Sequence, residues 1–177
     1  MERLKYQNVH LLIGAPGTAK TTVARLFGKM MHEEGLLPGN RFTSVNGAEL
    51  KGMYVGHSAP KTKYIFENND VILIDEAYSL TEGDEHMDVF SKEALAQLIL
   101  EVEKHGHDKL IMFAGYGGVS VQDKDNKMKR FLDANPGLKS RINSTIYFDS
   151  YTPEQMVEIV HKQAELTKLE VSRQADE

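Results

Sequence analysis

Short apolar runs alternate along the chain with longer stretches in which apolar side chains recur every three or four positions. The first spacing is that of a buried strand, the second that of an amphipathic helix. Residues 9–13 (Val-His-Leu-Leu-Ile) predict a first strand, followed by a Gly/Pro turn and a helix over about 21–34. Gly35 and Pro38-Gly39 interrupt the chain before a second strand at 42–45, a helix at 62–67 and a third strand at 71–74. Over 91–104 the residues Ala94, Leu95, Leu98, Ile99 and Val102 form one helical stripe, and Gly106 stops it. Fourth and fifth strands are predicted at 110–114 and 144–148, and a polar, glycine-containing loop at 115–126. From Thr152 a further helix starts: Thr152 caps, Pro153 suits the first turn and Gln155 reaches back. Met156, Val157, Ile159, Val160 and Ala164 form its apolar face, and it ends near Lys168. Strands alternating with helices predict an α/β domain built on a parallel sheet.

Composition narrows the class. With 177 residues, 41% of them hydrophobic, the chain holds one ordinary globular core and little more. Its 21 basic and 26 acidic residues leave a net charge of −5 with no long run of one sign. Such a surface does not displace counterions from a nucleic-acid backbone, so nucleic acid is not an expected partner. Lys124, Lys127, Lys129 and Arg130 make a basic stripe, but with acidic neighbours it reads as a solvated helix face. The absence of cysteine excludes disulfides and thiolate metal sites. His105-Gly106-His107 and Asp84-Glu85-His86 lack further ligands at a fixed spacing and are not read as a metal centre. No apolar run is long enough for a bilayer and the first residues lack a signal-like stretch, so a cytoplasmic protein without membrane contact is expected.

The chemistry begins at Gly14-Ala15-Pro16-Gly17-Thr18-Ala19-Lys20-Thr21, between the first predicted strand and helix. This nearly fits G-x-x-x-x-G-K-[ST] in the strand-loop-helix setting the motif needs. Small residues let backbone N–H groups turn inward around phosphate oxygens, and the positive end of the helix adds to them. Lys20 then neutralises the β and γ phosphates of ATP, and the Thr21 hydroxyl holds Mg²⁺. Ala19 stands where the second glycine is expected; if that position needs a positive φ, alanine costs roughly 1 kcal/mol. A glycine-rich strand-to-helix turn with an incidental lysine is the bland alternative.

The third strand ends in Asp75 and Glu76. Strand C-termini in a parallel sheet converge on the ligand side. That places Asp75 near Mg²⁺ and leaves Glu76 to orient and deprotonate the attacking water. Solvated acids at a strand end are the alternative for this pair alone.

Together these strings resemble AAA+ ATPases, and more narrowly the group with red-type rubisco activase, stage V sporulation protein K and the type VII secretion ATPases. Gly14 to Thr22, Tyr54-Val55-Gly56-His57-Ser58-Ala59-Pro60-Lys61-Thr62, Ile74-Asp75-Glu76-Ala77-Tyr78, Ala114-Gly115-Tyr116 and Asn135-Pro136-Gly137-Leu138-Lys139-Ser140-Arg141 carry the resemblance, which covers about residues 10–165. It implies a three-layer P-loop NTPase domain with a five-stranded parallel sheet in the order 5-1-4-3-2 over residues 1–150. It also implies the start of a small helical lid over 151–177. Nucleotide binding is then assigned to Gly14, Ala15, Pro16, Gly17, Thr18, Ala19, Lys20, Thr21 and Thr22, with Thr21 and Asp75 on Mg²⁺. Glu76, Asp75, Lys20 and Arg141 become the catalytic set, Arg141 as a finger reaching a neighbouring subunit's site. Read bare, Arg141 is a surface arginine before a strand. The resemblance implies a ring, most simply a hexamer, whose Tyr54-Val55 pore loop grips a protein client; local packing of Tyr54 is the alternative. Asn46 resembles the residue that restrains the catalytic glutamate, though asparagine before glycine equally makes a turn. Tyr116 replaces the usual polar sensor and carries no assigned role. The adenine-contacting segment and the sensor arginine are expected outside the chain, with Arg173 too near the end to serve.

The expected function is therefore an Mg²⁺-dependent ATPase core that, as a ring, remodels or threads a protein. A nucleotide-gated scaffold with little turnover is the non-enzyme alternative. A P-loop kinase for a small molecule would need an acceptor site and lid arginines that the sequence does not display.

Overall fold

The computed structural model describes residues 7–52, 56–81, 89–116 and 126–149, together with 152, 154, 155, 157 and 158. Five strands form one parallel sheet: β1 (Val9–Gly14), β2 (Phe42–Asn46), β3 (Val71–Asp75), β4 (Leu110–Gly115) and β5 (Ser144–Phe148). Their order is β2-β3-β4-β1-β5, the expected 5-1-4-3-2 read from the other edge. Val9 pairs with Ile111, Leu12 with both Ala114 and Ile146, and Asn46 with Asp75. β3 and β4 are buried on both faces, which is why they read in the sequence as unbroken apolar runs instead of alternating ones.

Helices cover the two faces. On one, α1 (Lys20–Glu33) lays Ala24 and Met31 over Leu12, Leu73, Met112 and Ala114. Gly28 makes this approach possible: a Cβ there would collide with the Val71 side chain. On the other face, α2 (Ser58–Asn68) and α3 (Val89–His105) bury Phe66, Leu98 and Val102 against Val9, Ile72, Ile111 and Phe113. Burying one such side chain contributes about 1.5–3 kcal/mol, so this double-sided core dominates the stability.

Several elements extend beyond the sequence pattern. α2 starts at Ser58, four residues before the predicted helix at 62. Pro60 fits a first turn, whose N–H groups have no helical partner. The Glu93 carboxylate on α3 accepts from the Ala59 N–H at 3.1 Å, a cap supplied by a distant part of the chain. Two single turns of 3-10 helix, Gly47–Leu50 and Ala77–Leu80, follow β2 and β3 directly. The basic stripe lies on α4 (Lys127–Ala134), where Asn126 caps the Lys129 N–H and Lys129 pairs with Asp133 at 2.6 Å; Lys124 lies outside the described residues. Lys139 of the one-turn α5 (Pro136–Lys139) also reaches Asp133, and the two lysines hold its carboxyl at about 2. His105 stacks on Phe66 and lies 3.2 Å from the buried Glu101, a structural use for a residue that sequence alone left open.

At the N-terminal edge of the sheet, Arg41 clamps Asp70 through its backbone N–H at 3.0 Å and its guanidinium at 2.9 Å and 3.2 Å. Burial pushes the Asp70 carboxyl up, but the Arg41 hydrogen bonds outweigh it and hold the group below its ordinary value. The opposite, C-terminal edge collects Gly14, Asn46, Asp75 and Gly115. Among the described residues, no helix is long and apolar enough to cross a membrane.

Candidate nucleotide-binding site

The loop between β1 and α1 bends twice into left-handed backbone, at Gly17 (φ 80°) and at Ala19 (φ 62°, ψ 21°). The Ala19 position thus has the conformation that favours glycine, and the alanine carries a cost of about 1 kcal/mol there. Its carbonyl nevertheless opens α1, accepting from the Val23 N–H at 2.9 Å. Thr18 is turned into the loop, its hydroxyl donating to the Ala15 carbonyl at 2.7 Å. Lys20 reaches back over the loop and donates to the Gly14 and Ala15 carbonyls, both at 2.8 Å. Burial lowers the Lys20 pKa, while the negative charges of Asp75 and Glu76 act to raise it.

These residues form one wall of a cleft of about 260 Å³ at the C-terminal edge of the sheet. Gly14, Pro16, Gly17, Ala19, Lys20 and Thr21 line it from the loop, Asp75, Glu76 and Tyr78 from the end of β3, and Gly115 and Tyr116 from β4. The phosphate loop and the acidic pair, distant in sequence, therefore share a cavity. Ala15 contributes through its carbonyl, and Thr18 and Thr22 do not line the cleft: Thr18 is buried in the loop and Thr22 is exposed on α1.

Glu76 is the second non-glycine residue with positive φ among those described (46°, with ψ 49°). Strain of this kind, of order 1–3 kcal/mol, is tolerated where surrounding structure imposes it. Here the Asp75 Oδ1 accepts the Glu76 N–H at 2.9 Å, and the Ser79 N–H binds the Glu76 carbonyl at 2.8 Å. The Glu76 Oε2 accepts from the Asn46 Nδ2 at 3.1 Å. Asn46 is extended and caps the turn after β2, with Glu49 completing a capping box, and Gly47 does not have a positive φ. The Asn-Gly pair is therefore a strand-to-helix cap facing Glu76, not the reversing turn that the dipeptide also allows. Gly47 is needed for space: a Cβ would stand 2.8 Å from the Glu76 carbonyl oxygen and 2.9 Å from that of Ala77.

Two residues of this site had no role in the sequence reading. Tyr78 packs under the cleft and against Gly115, where a Cβ would meet the Tyr78 ring at 3.0 Å. Ser79 donates to the Asn46 Oδ1 at 2.8 Å. Both follow Glu76 within a 3-10 turn that no periodicity announces. Arg141 does not line this chain's own cleft. It follows α5, donating to the Gly137 carbonyl and pairing with Glu103 of α3 at 2.9 Å.

The donor set suits magnesium carried on a nucleotide. Thr21, with a hydroxyl, and Asp75, with a carboxylate, line the same cleft, and both carry hard oxygen ligands. With the Lys20 ammonium already in the loop, a dication gains most when phosphates arrive with it.

The family model described as "ATPase family associated with various cellular activities (AAA)" matches residues 10–148. The chain belongs to this AAA ATPase family. Curated relatives include stage V sporulation protein K of Bacillus subtilis (strain 168), 36% identical over 173 residues, covering 96% of this chain and 51% of that protein. Chloroplastic ribulose bisphosphate carboxylase/oxygenase activase of Cyanidioschyzon merolae is 40% identical over 148 residues, 82% of this chain and 47% of that protein. The ESX-2 secretion system protein EccA2 of Mycobacterium tuberculosis is 37% identical over 161 residues, covering 89% and 25%. The AAA domain thus spans about half the length of the first two relatives and a quarter of the third. Among solved structures, the FIGL-1 AAA domain superposes with a TM-score of 0.58 at 22% identity, covering 89% of this chain and 48% of that one, and supports the fold. The narrower resemblance read from the five strings thus agrees with these relatives.

Proposed function

We propose that this AAA ATPase domain hydrolyses Mg·ATP as a subunit of a ring, most simply a hexamer, and uses the energy to remodel or thread a protein client. The observation that carries the reading is Glu76, which faces the phosphate-loop cleft while held through its carboxylate by Asn46 at 3.1 Å. A carboxylate kept at a nucleotide site by a breakable hydrogen bond suits regulated water activation, whereas a scaffold that only binds ATP has no use for it.

In this proposal Lys20 exchanges its two carbonyl partners for phosphate oxygens, gaining charge-assisted bonds in place of neutral ones. Thr21 and Asp75 hold the magnesium ion, which when bound spreads positive charge over the β and γ phosphates. Released from Asn46, Glu76 takes the proton of the attacking water. Arg141 serves the neighbouring subunit's cleft, which is why it stands clear of its own; such a finger is worth about 10³- to 10⁵-fold in rate. Leaving the Glu103 partner costs about 1 kcal/mol, since Arg141 is partly buried but the carboxylate it leaves is 61% exposed and stays solvated.

Tyr54 and Val55, the proposed client-gripping pair, lie outside the described residues, but the flanks of their loop are anchored. The Gly52 N–H bonds the Ser58 hydroxyl at 2.8 Å, and the Gly56 N–H bonds Glu93 at 3.1 Å. Residues 151–177 are assigned to the helical lid. Thr152 and Gln155 support a helix start there, bonding each other's backbone N–H groups at 2.9 Å and 3.3 Å. The rest of the lid, including Met156, Ile159, Val160, Ala164, Lys168 and Arg173, lies outside the described residues, as do Asp84, Glu85 and His86.

Measuring ATP turnover against protein concentration tests the proposal. Specific activity should rise as subunits assemble, Glu76→Gln should bind Mg·ATP without turnover, and Arg141→Ala should lose the concentration-dependent rise while retaining binding. Tight binding with turnover flat in concentration would favour the nucleotide-gated scaffold, and loss of binding in Arg141→Ala would end the finger assignment.

A further inference from the structure

We propose that Ser79 is a positioning residue for ATP hydrolysis: it fixes the Asn46 amide so that its NH₂ end, not its oxygen, meets the Glu76 carboxylate. The inference rests on the proposed role of Glu76 as the base.

The geometry leaves the amide one orientation. The Asn46 Oδ1 receives two donors, the Ala48 N–H at 3.0 Å and the Ser79 hydroxyl at 2.8 Å. The Ala48 N–H also reaches the Ser79 Oγ at 2.9 Å. That contact uses one acceptor site of the hydroxyl and leaves its single proton for the Asn46 Oδ1. Rotating the amide by half a turn would set NH₂ against the Ala48 N–H on one side and lose the bond that the Ser79 proton makes to Oδ1. On the other side it would set an amide oxygen against a carboxylate. Either mismatch leaves polar groups unpaired, which costs more than a made hydrogen bond contributes.

Ser79 also carries this constraint across the site. It lies in the same 3-10 turn as Glu76 and binds the Glu76 carbonyl through its own N–H at 2.8 Å. The group that orients the restraint and the group that is restrained therefore move as one turn. Asn46 belongs to the neighbouring strand and is capped into a separate turn. A shift of the turn at Ala77–Leu80 relative to the end of β2 breaks the Ser79–Asn46 and Asn46–Glu76 bonds together. Gly47, with no room for a side chain, keeps the two turns at this separation.

Removing the hydroxyl with Ser79→Ala leaves the amide one anchor fewer. The ratio of restrained to released Glu76 should fall about 2- to 10-fold, the factor that one net hydrogen bond is worth. Two measurements on the full chain decide the matter. In ¹H–¹⁵N spectra, the Asn46 side-chain amide pair (assigned by its loss in Asn46→Ala) should shift on Glu76→Ala in the parent, and shift less on Glu76→Ala in a Ser79→Ala background. In steady-state hydrolysis without client, Ser79→Ala should raise kcat by about 2- to 10-fold with KM for Mg·ATP within about twofold, and should add nothing to Asn46→Ala. An amide response unchanged by Ser79→Ala, an additive effect on turnover, or an effect on KM alone would each overturn the proposal. If Glu76→Gln turns over like the parent, the base assignment fails by itself, and the amide resonances still decide whether Ser79 orients Asn46.

Discussion

Replacing Gly47 with alanine places a methyl carbon 2.8 Å from the Glu76 carbonyl oxygen and 2.9 Å from both the Ala77 carbonyl oxygen and the Ser79 Oγ. Carbon and oxygen approach comfortably only to about 3.3 Å, so the turn after β2 and the turn after β3 must separate by roughly half an ångström. Two of the three obstacles are backbone atoms, and no rotamer change relieves them. Overpacking of this kind costs about 1–3 kcal/mol. At this chain length each kcal/mol lowers Tm by about 2–4 °C. Gly47 does not line the nucleotide cleft, so Mg·ATP affinity should stay within about threefold of the parent, less than the tenfold that 1.4 kcal/mol represents. Urea unfolding and calorimetric titration of the same variant separate the two effects. Because Gly47 has no positive φ, an alanine there faces no backbone strain. A stability change below about 0.5 kcal/mol, the range of an unconstrained surface substitution, would show that the two turns are not in the close contact described.

Lys20→Ala should weaken Mg·ATP binding by about 10- to 150-fold, the worth of a lost charge-assisted hydrogen bond at about 1.5–3 kcal/mol, as read by titration calorimetry; unchanged affinity would remove the phosphate-loop reading. Asp70→Asn should destabilise the fold by about 1.5–3 kcal/mol at neutral pH, because it loses the charge that Arg41 clamps at the far edge of the sheet. The sign follows from a folded pKa below the unfolded one. The contribution is fully present above the unfolded carboxylate value near 4 and disappears as pH falls through the lower folded value, so parent and variant stabilities should converge in acid. Glu103→Gln should leave Mg·ATP affinity unchanged and raise assembly-dependent turnover by less than about fivefold, since the Glu103 carboxylate is exposed and water screens its pull on Arg141.

The order of the five strands and of the three helices between the first four, the phosphate loop and the acidic pair were all legible in the sequence, because each is written in consecutive residues. Five apolar runs became five strands with ends displaced by at most one residue, and the loop at 14–21 took the strand-loop-helix setting its glycines demand. Even the suspected cost at Ala19 was visible as a missing glycine, and the positive φ made it real. Local chemistry, which acts through side-chain period, Cβ sterics and phosphate complementarity, needs only neighbours in the chain.

The features that depend on distant residues meeting in space were not legible. Nothing near Ser58 says that Glu93 will cap its helix, and nothing near Ser79 says that its hydroxyl will face Asn46. Asn46-Gly47 allowed more than one local geometry; the parallel register that sets Asn46 beside Asp75 brings its amide within hydrogen-bond reach of Glu76, because it pairs the two strand ends. Where Arg141 sits, outside its own cleft and against Glu103, was likewise set by the fold alone. The sequence by itself determined which chemistry the chain holds; tertiary structure decided which groups touch, since contact across a sheet depends on strand order and register that no single segment encodes.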